Sequence, residues 1–212
     1  MNNQSRTKLR DTLHWGLQQL GEDPLRHPCQ KYLAFLDLLC DWNRAYNLTA
    51  LRSREDMLIR HILDSLTVLP YIRGGKCLDV ATGAGLPGLI LALCQPARQW
   101  TLLDSSIKKI RFLNQAVMEL QPENIDIVRA RIEDFDTGDR FDTVITRAYA
   151  SLIKFHRNTE SLLNKDGILI AMKGRMPEAE LNELTAEHIK FDLHKVTLPA
   201  SDAVRHIVVL NN

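Results

Sequence analysis

The stretch CLDVATGAGLPGLILAL, residues 77–93, joins a short apolar run to a longer one through three glycines within six residues. A strand, a glycine loop and a helix in this order are typical of the first unit of a doubly wound α/β sheet, where ligands bind beyond the carboxyl ends of the strands. Because glycine has no Cβ and adopts positive φ, Gly83 and Gly85 let the backbone approach a ligand closely. The alternative is a tight turn between strand and helix that binds nothing.

The residues after this loop alternate between short apolar runs and amphipathic runs. This alternation predicts a mostly parallel sheet covered by helices on both faces. The predicted strands are 77–80, 100–103, 125–128, 141–146 and 168–172, and the predicted helices are 86–93, 107–120, 152–163 and 177–190. Two last strand-like runs, 191–199 and 205–211, leave no room for a helix between them, so we expect them to pair antiparallel.

The chain before residue 75 has a helical pattern instead. Leucines recur at helical spacing at 9, 13, 17 and 20, and apolar residues at 32, 36, 39 and 42 do the same. Ser53 is a predicted helix N-cap, with Asp56 as the acid three residues later. We therefore expect two parts, a helical extension over residues 1–74 packed on an α/β core over residues 75–212.

Acidic residues follow two of the predicted strands. Asp104 ends the second strand about 20 residues after the glycine loop, where a carboxylate can accept both hydroxyls of an adenosine ribose. After the third strand, Ile132 and Glu133 offer an apolar surface for an adenine ring and an acid for its amino group. The alternative for Asp104 is a surface aspartate that opens a turn, and the alternative for Glu133 is a solvated acidic turn.

Asp79 decides which adenosine ligand is predicted. At the end of the first strand its carboxylate is expected to face the loop, where it would repel a pyrophosphate by about 1–4 kcal/mol at contact distance. S-adenosylmethionine carries no phosphate but an ammonium and a sulfonium, which a carboxylate attracts. The sequence therefore predicts a methyl-donor site. An NAD-dependent oxidoreductase is the alternative, and a non-catalytic RNA-binding assembly factor on the same fold is another.

Composition limits the classes of protein that remain. The chain has 212 residues, 45% of them apolar, and a net charge of only +1, so any nucleic-acid site must come from local clusters of basic residues. The four cysteines show no metal-ligand spacing, so we expect reduced thiols, no metal and a cytoplasmic protein. No apolar run reaches the length of a membrane span, and the N-terminal MNNQSRTKLR lacks the apolar region of a secretory signal. A monomer is the default expectation.

Several longer segments carry a resemblance to a known family. They are LDVATGAGLPG, LLDSSIKKIRFL, ITRAYASL, MKG and RHIVV, with WNRAYNLTA and HILDSL before residue 75. In this order the chain resembles the bacterial 16S ribosomal RNA guanine-N7 methyltransferases, also called glucose-inhibited division protein B. The resemblance implies a Rossmann-like class I methyltransferase sheet with one antiparallel strand near the C-terminal end. It also implies methyl transfer from S-adenosylmethionine to N7 of guanine 527 in 16S rRNA, on the RNA itself or in the small ribosomal subunit.

The resemblance also implies donor contacts, in addition to those predicted from the residues alone. The implied contacts are Ala81, Leu86, Ile132, Glu133 and Arg147. Position 81 is usually glycine in the family, so Ala81 strains the loop if that position needs positive φ. Arg147, after the fourth strand, is the best candidate for positioning the reactants.

The acceptor atom restricts both chemistry and recognition. Guanine N7 has an in-plane lone pair, so methyl transfer needs no proton removed and no general base is assigned. An arginine fork on O6 and N7 would cover the nucleophile, so the guanine must be held in another way. The candidates for holding it are Asn47, His61, Asp64, Arg147, Lys173, Arg205 and His206, although Asn47 fits a cap and His61 and Asp64 fit a surface hydrogen bond to each other. Candidates for phosphate contacts are Arg6, Lys8, Arg10, Arg44, Arg52, Arg54, Arg60, Arg129 and Arg131.

Overall fold

The structure, a computed structural model, describes residues 3–211 and is built around one sheet of seven strands. The strands are β1 (Lys76–Val80), β2 (Gln99–Leu103), β3 (Ile125–Val128), β4 (Phe141–Arg147), β5 (Leu163–Lys173), β6 (Phe191–Thr197) and β7 (Val204–Asn211). Their spatial order is β3-β2-β1-β4-β5-β7-β6. The strand order reverses between β1 and β4, and ligands bind at such a reversal in open α/β sheets.

Strand direction agrees with the prediction. Strands β1 to β5 pair in parallel, whereas β7 is antiparallel to both β5 and β6. The helices between the parallel strands provide the crossovers that parallel pairing requires, and the short connection between β6 and β7 allows only an antiparallel pair. The predicted sheet with one reversed strand is confirmed.

The helices are close to their predicted positions. They are α1 (Asn3–Gln19), α2 (Cys29–Tyr46), α3 (Arg54–Met57), α4 (Asp64–Leu66), α5 (Gly88–Cys94), α6 (Ile107–Leu120), α7 (Leu152–Thr159) and α8 (Glu178–Ala186), with a π-helical turn, Leu58–Leu63, between α3 and α4. Helix α5 begins at Gly88, two residues later than predicted. Helix α8 ends at Ala186 rather than at residue 190, because His188 turns the chain with φ 57° toward β6.

Helices of the extension pack on the outer face of α6. Phe35 and Trp42 of α2 both meet Phe112 edge-on, with ring centroids 6.0 and 5.7 Å apart. Ser53 caps α3 as predicted, since its hydroxyl oxygen accepts from Asp56 N at 2.9 Å. The extension and helices α5 and α6 thus share one apolar cluster, while the division at residues 74 and 75 stays a prediction.

Two further predictions concern the state of the cysteines and the absence of membrane-spanning segments. All four cysteines are free thiols, as predicted; Cys40 and Cys77 are buried, and Cys29 and Cys94 are partly exposed. Within residues 3–211, no helix is both long enough and apolar enough to cross a membrane.

Candidate active site

The glycine loop after β1 depends on left-handed backbone. Gly83 and Gly85 have φ of 63° and 83°. A Cβ on Gly85 would lie 2.7 Å from Leu89 Cβ, whereas one on Gly83 would meet nothing closer than 3.9 Å. The predicted positive φ at both glycines is confirmed, and close packing adds a second reason for glycine at 85. Ala81 also lies in the left-handed region, with φ 58°, so the strain expected for alanine at this position is present.

Replacing Ala81 with glycine is expected to stabilise the protein. A left-handed conformation costs an L-residue with a Cβ roughly 1–2 kcal/mol, and the greater freedom of glycine in the unfolded chain offsets part of that gain. We expect Ala81→Gly to raise the free energy of unfolding by about 1 kcal/mol in urea denaturation. Ala84→Gly in the same loop is the matched control and should lose stability, since it removes a buried methyl group. Equal losses for both variants would contradict the prediction.

The Asp79 carboxylate is turned into the protein. It is fully buried, and its Oδ2 accepts from Thr82 Oγ1 at 2.6 Å and from Gly88 N at 2.8 Å. Burial raises the pKa of Asp79 to about 7, although these two hydrogen bonds act in the opposite direction. The expectation that this carboxylate faces a ligand and repels a phosphate by contact is therefore wrong. Asp79 holds the two ends of the glycine loop together, and a role in donor binding stays a prediction.

Asp104 ties the second strand to the same loop. Its Oδ2 accepts from Gly83 N at 2.9 Å and from Lys109 Nζ at 3.2 Å, and its Oδ1 accepts from Ser106 N at 2.9 Å. Asp104 is nevertheless on the wall of a cavity of about 360 Å³, which we call the glycine-loop cavity. Its other lining residues include Ala81, Arg131, Ile132, Glu133, Tyr149 and Lys154. Asp104 is only 4% exposed and protein donors already occupy both of its oxygens, so the predicted ribose contact stays a prediction.

Ile132 and Glu133 reach this cavity from a 3₁₀ turn after β3. Ile132 is buried, and the Glu133 carboxylate accepts from Tyr149 Oη and Asn158 Nδ2, each at 3.2 Å. An apolar side chain and an acid therefore lie side by side at this cavity, and their predicted contacts with adenine stay predictions. Leu86 packs into the apolar core instead of lining the cavity, and its predicted donor contact stays a prediction.

A second cavity of about 470 Å³, the arginine cavity, is lined by Arg60, His61, Asp64, Arg147, Arg175 and Arg205, together with Thr49, Ala50, Leu51, Ala148, Met172 and Gly174. The Asp64 side chain is only 3% exposed and accepts from two arginines, Arg205 Nε at 2.6 Å and Arg147 Nη1 at 3.3 Å. Arg147 also donates to Arg60 O at 3.3 Å. One carboxylate thus joins the helical extension to the carboxyl end of β4 and to β7.

His61 is held neutral in this cavity. Its Nδ1 donates to Arg60 O at 3.0 Å, so its Nε2 accepts from Thr49 Oγ1 at 2.8 Å. Burial, and then the charge of Arg147, lowers the pKa of His61 to about 3. The hydrogen bond between His61 and Asp64 that the sequence also allowed is not the one formed, because each side chain has found other partners.

Three of the predicted substrate residues, Asn47, Lys173 and His206, lie outside this cavity. Asn47 is the left-handed C-cap of α2, with φ 47°, and its side-chain oxygen accepts from Arg52 at 3.0 Å. Lys173 points toward α8, where its ammonium pairs with Glu180 at 2.7 Å and donates to Ala150 O at 3.0 Å. His61, Asp64, Arg147 and Arg205 are brought together as candidates, whereas Asn47, Lys173 and His206 are not. Substrate contacts remain predictions for all seven.

The sequence reasoning missed several lining residues. Tyr149 and Lys109 border the glycine-loop cavity, and Thr49 and Arg175 border the arginine cavity. Tyr149 and Arg175 each follow a strand closely, so their position at the carboxyl edge of the sheet was a usable signal. Within the described part of the chain, His, Cys, Asp and Glu side chains form no group of three or more that could hold a metal ion.

Sequence comparison places the chain among methyltransferases. The family profile GidB, described as rRNA small subunit methyltransferase G, matches residues 28–208. The Ribosomal RNA small subunit methyltransferase G of Methylobacillus flagellatus is 44% identical, over 95% of this chain and 98% of that protein. The proteins of the same name from Legionella pneumophila and Escherichia coli are 41% and 42% identical, over 97% and 92% of this chain and 96% and 94% of their own lengths.

Solved structures agree on the fold. A magnesium protoporphyrin IX methyltransferase from Synechocystis PCC 6803 superposes with a TM-score of 0.61, at 13% identity over 84% of this chain and 97% of that one. A SAM-dependent methyltransferase from Aquifex aeolicus gives 0.57, at 17% identity over 73% and 92%. These likenesses confirm the predicted Rossmann-like class I fold.

Proposed function

The chain belongs to the rRNA small subunit methyltransferase G (GidB) family, and from this membership we propose that it transfers a methyl group from S-adenosylmethionine to N7 of guanine 527 in 16S rRNA. The observation that carries the proposal is the family match over most of the chain, joined to two cavities at the carboxyl edge of the sheet. Neither the oxidoreductase nor the non-catalytic assembly factor is favoured by these relatives. A monomeric state and a cytoplasmic location stay predictions.

The glycine-loop cavity fits the methyl donor chemically. Asp104 offers a charged acceptor for ribose hydroxyls, Ile132 offers an apolar face for adenine, and Glu133 offers an acceptor for the adenine amino group. At Gly83, with φ 63°, a Cβ would meet nothing closer than 3.9 Å, so the backbone there leaves room for the close approach of a ligand. When bound, the donor supplies a methyl group on a positively charged sulfur.

Segment 147–149 contributes to both cavities. Arg147 and Ala148 line the arginine cavity, and Tyr149 lines the glycine-loop cavity. A donor in one cavity and a base in the other would therefore lie on the two sides of this segment. We assign Arg147 as a positioning residue, because Asp64 and Arg60 O fix its guanidinium. Its contribution is alignment of the reactants.

Among the described residues that line the arginine cavity, neither His61 nor Asp64 is free to act as a general base. His61 is hydrogen-bonded at both ring nitrogens, and the Asp64 carboxylate is paired with two arginines. This suits attack by N7, which has a lone pair and loses no proton.

The pH dependence of the reaction follows from the neutral state of His61. Because its pKa is lowered to about 3, His61 does not titrate in the folded protein between pH 5 and pH 9. We expect the single-turnover rate at saturating donor and RNA to show no acidic limb from His61 in this range. An acidic limb that His61→Ala abolished would contradict the assignment.

The same shift has a consequence for stability. In the unfolded chain His61 binds its proton near its ordinary pKa of 6.5, whereas in the folded protein it binds only near 3. Acidification through this window therefore favours unfolding, by about 1.4 kcal/mol per pH unit. When the pH falls from 6.5 to 5, the wild type should therefore lose about 2 kcal/mol of unfolding free energy that His61→Asn does not lose. A constant difference between the two proteins would contradict the shift.

The proposed reaction is tested directly with labelled donor. Small ribosomal subunits that lack the modification are incubated with the protein and labelled S-adenosylmethionine, and the modified base is mapped by cleavage at N7-methylguanine. We expect label at guanine 527 alone. Donor binding without methyl transfer would favour a non-catalytic assembly factor, and label at another base or atom would overturn the assigned acceptor.

A further inference from the structure

The four arginines of the arginine cavity fall into two pairs. Arg147 and Arg205 both share the Asp64 carboxylate, and the side chains of both are mostly buried. Arg60 and Arg175 are exposed and have no carboxylate within ion-pair distance among residues 3–211. Two of the four guanidinium groups are therefore fixed by the protein, and two keep their full charge toward a ligand.

The remaining polar wall does not compensate this charge. Asp64 is the only carboxylate among the described residues that line the cavity. Arg147 and Arg205 already occupy both of its oxygens. His61 is buried with both ring nitrogens satisfied, so it adds neither charge nor a free acceptor. The cavity is therefore electropositive at its two free arginines, and a guanidinium fork matches the oxygens of a phosphate.

The free arginines come from different parts of the chain. Arg60 lies on the π-helical turn of the extension, and its carbonyl accepts from both His61 and Arg147, which fixes its backbone. Arg175 lies in the loop after β5. The wall of the same cavity also has an apolar portion that includes Leu51 and Met172. Charge beside an apolar surface suits a nucleotide, whose phosphate and base need different partners.

We propose that Arg60 and Arg175 bind phosphodiester groups of the RNA strand beside the target guanine, whereas Arg147 and Arg205 position the site through Asp64. Such contacts fix the register of the strand and leave the base edge uncovered, as attack by N7 requires. The inference rests on the proposed function for the identity of the RNA. The phosphate chemistry itself rests on the cavity.

The test compares Arg60→Gln, Arg175→Gln and the double variant with Arg140→Gln. Arg140 is also an exposed arginine, and it donates to the backbone of Asp139. It precedes β4 at the amino end of that strand, roughly 20 Å from its carboxyl end. The control thus removes the same charge at the opposite edge of the sheet. Binding of a 16S rRNA fragment containing guanine 527 is measured over a range of salt concentrations, and donor affinity is measured separately by calorimetry.

We expect the double variant to bind the fragment at least about tenfold more weakly, since charge-assisted hydrogen bonds are lost. The slope of log affinity against log salt should fall by roughly 0.7–0.9 for each arginine removed. Arg60→Lys and Arg175→Lys should keep most of the slope. In methylation assays the loss should fall mainly on KM for RNA, and donor affinity should stay at the wild-type value.

Two results would overturn the inference. In one, the double variant binds RNA as Arg140→Gln does; in the other, donor affinity falls instead of RNA affinity. Failure of the proposed function would give a different result, namely a wild-type protein that transfers no methyl group. Even then, binding of the RNA fragment and its salt dependence would still show whether the two arginines contact phosphate.

Discussion

Asp64→Ala is expected to lower the free energy of unfolding by about 3–5 kcal/mol, because it leaves Arg147 and Arg205 without their shared carboxylate. Both arginine side chains are mostly buried, at 21% and 13% exposure, so water cannot fully replace the lost partner. Domains of this kind have only 5–15 kcal/mol of stability in total. The denaturation midpoint in urea should therefore fall sharply, and methyl transfer should fall with it, since Arg147 loses its fixed position.

Asp37→Ala is the matched control for this variant. Asp37 pairs with Arg54 at 3.1 Å, but the two side chains are 36% and 28% exposed. A pair that water screens in this way is worth no more than about 1 kcal/mol. Similar losses for Asp64→Ala and Asp37→Ala would show that the Asp64 contacts contribute no more than an ordinary surface pair.

Asp104→Asn is expected to weaken binding of S-adenosylmethionine by roughly 10- to 150-fold, which corresponds to about 1.5–3 kcal/mol for hydrogen bonds to a charged acceptor. The carboxylate accepts from Gly83 N and Ser106 N through different oxygens. An amide has only one acceptor oxygen, so one of these loop contacts is lost as well. Calorimetric titration of the donor measures the effect without RNA.

Asp126→Asn provides the comparison for Asp104→Asn. Asp126 lies on β3, is exposed and accepts from Gln99 Nε2 at 2.9 Å. It lines neither the glycine-loop cavity nor the arginine cavity. The affinity of Asp126→Asn for S-adenosylmethionine should equal that of the wild type. If Asp104→Asn also bound the donor like the wild type, the ribose contact assigned to Asp104 would be wrong.

The elements and the edge of the sheet that carries the site were predictable from the sequence. Helix α6 and strand β3 have their predicted bounds, and the pairing of β6 with β7 followed from the short connection between them. These features depend on periodicity and chain length, which are local properties. The left-handed glycines and the cap at Ser53 were predictable for the same reason, since each depends on one residue and its close neighbours.

The direction in which a side chain points was not predictable. The Asp79 carboxylate was expected to face a ligand, yet it is turned inward, where Thr82 and Gly88 of the loop both donate to its Oδ2. Lys173 was expected at the substrate rim, but Glu180 of α8 draws its ammonium to another face. The alternation of a strand limits a residue to one side of the sheet, but the partners on that side belong to other elements.

The order of strands and helices, the glycine loop and the family can all be read from the chain without its structure. How the charges of the site are shared depends on the folded protein, because Asp64 meets Arg147 and Arg205 across 83 and 141 positions of the chain. A pattern within a short stretch of sequence cannot predict contacts between residues so far apart in the chain. Folding of the sheet brings the extension, β4 and β7 to one place, and there a single buried carboxylate fixes two arginines and leaves Arg60 and Arg175 free.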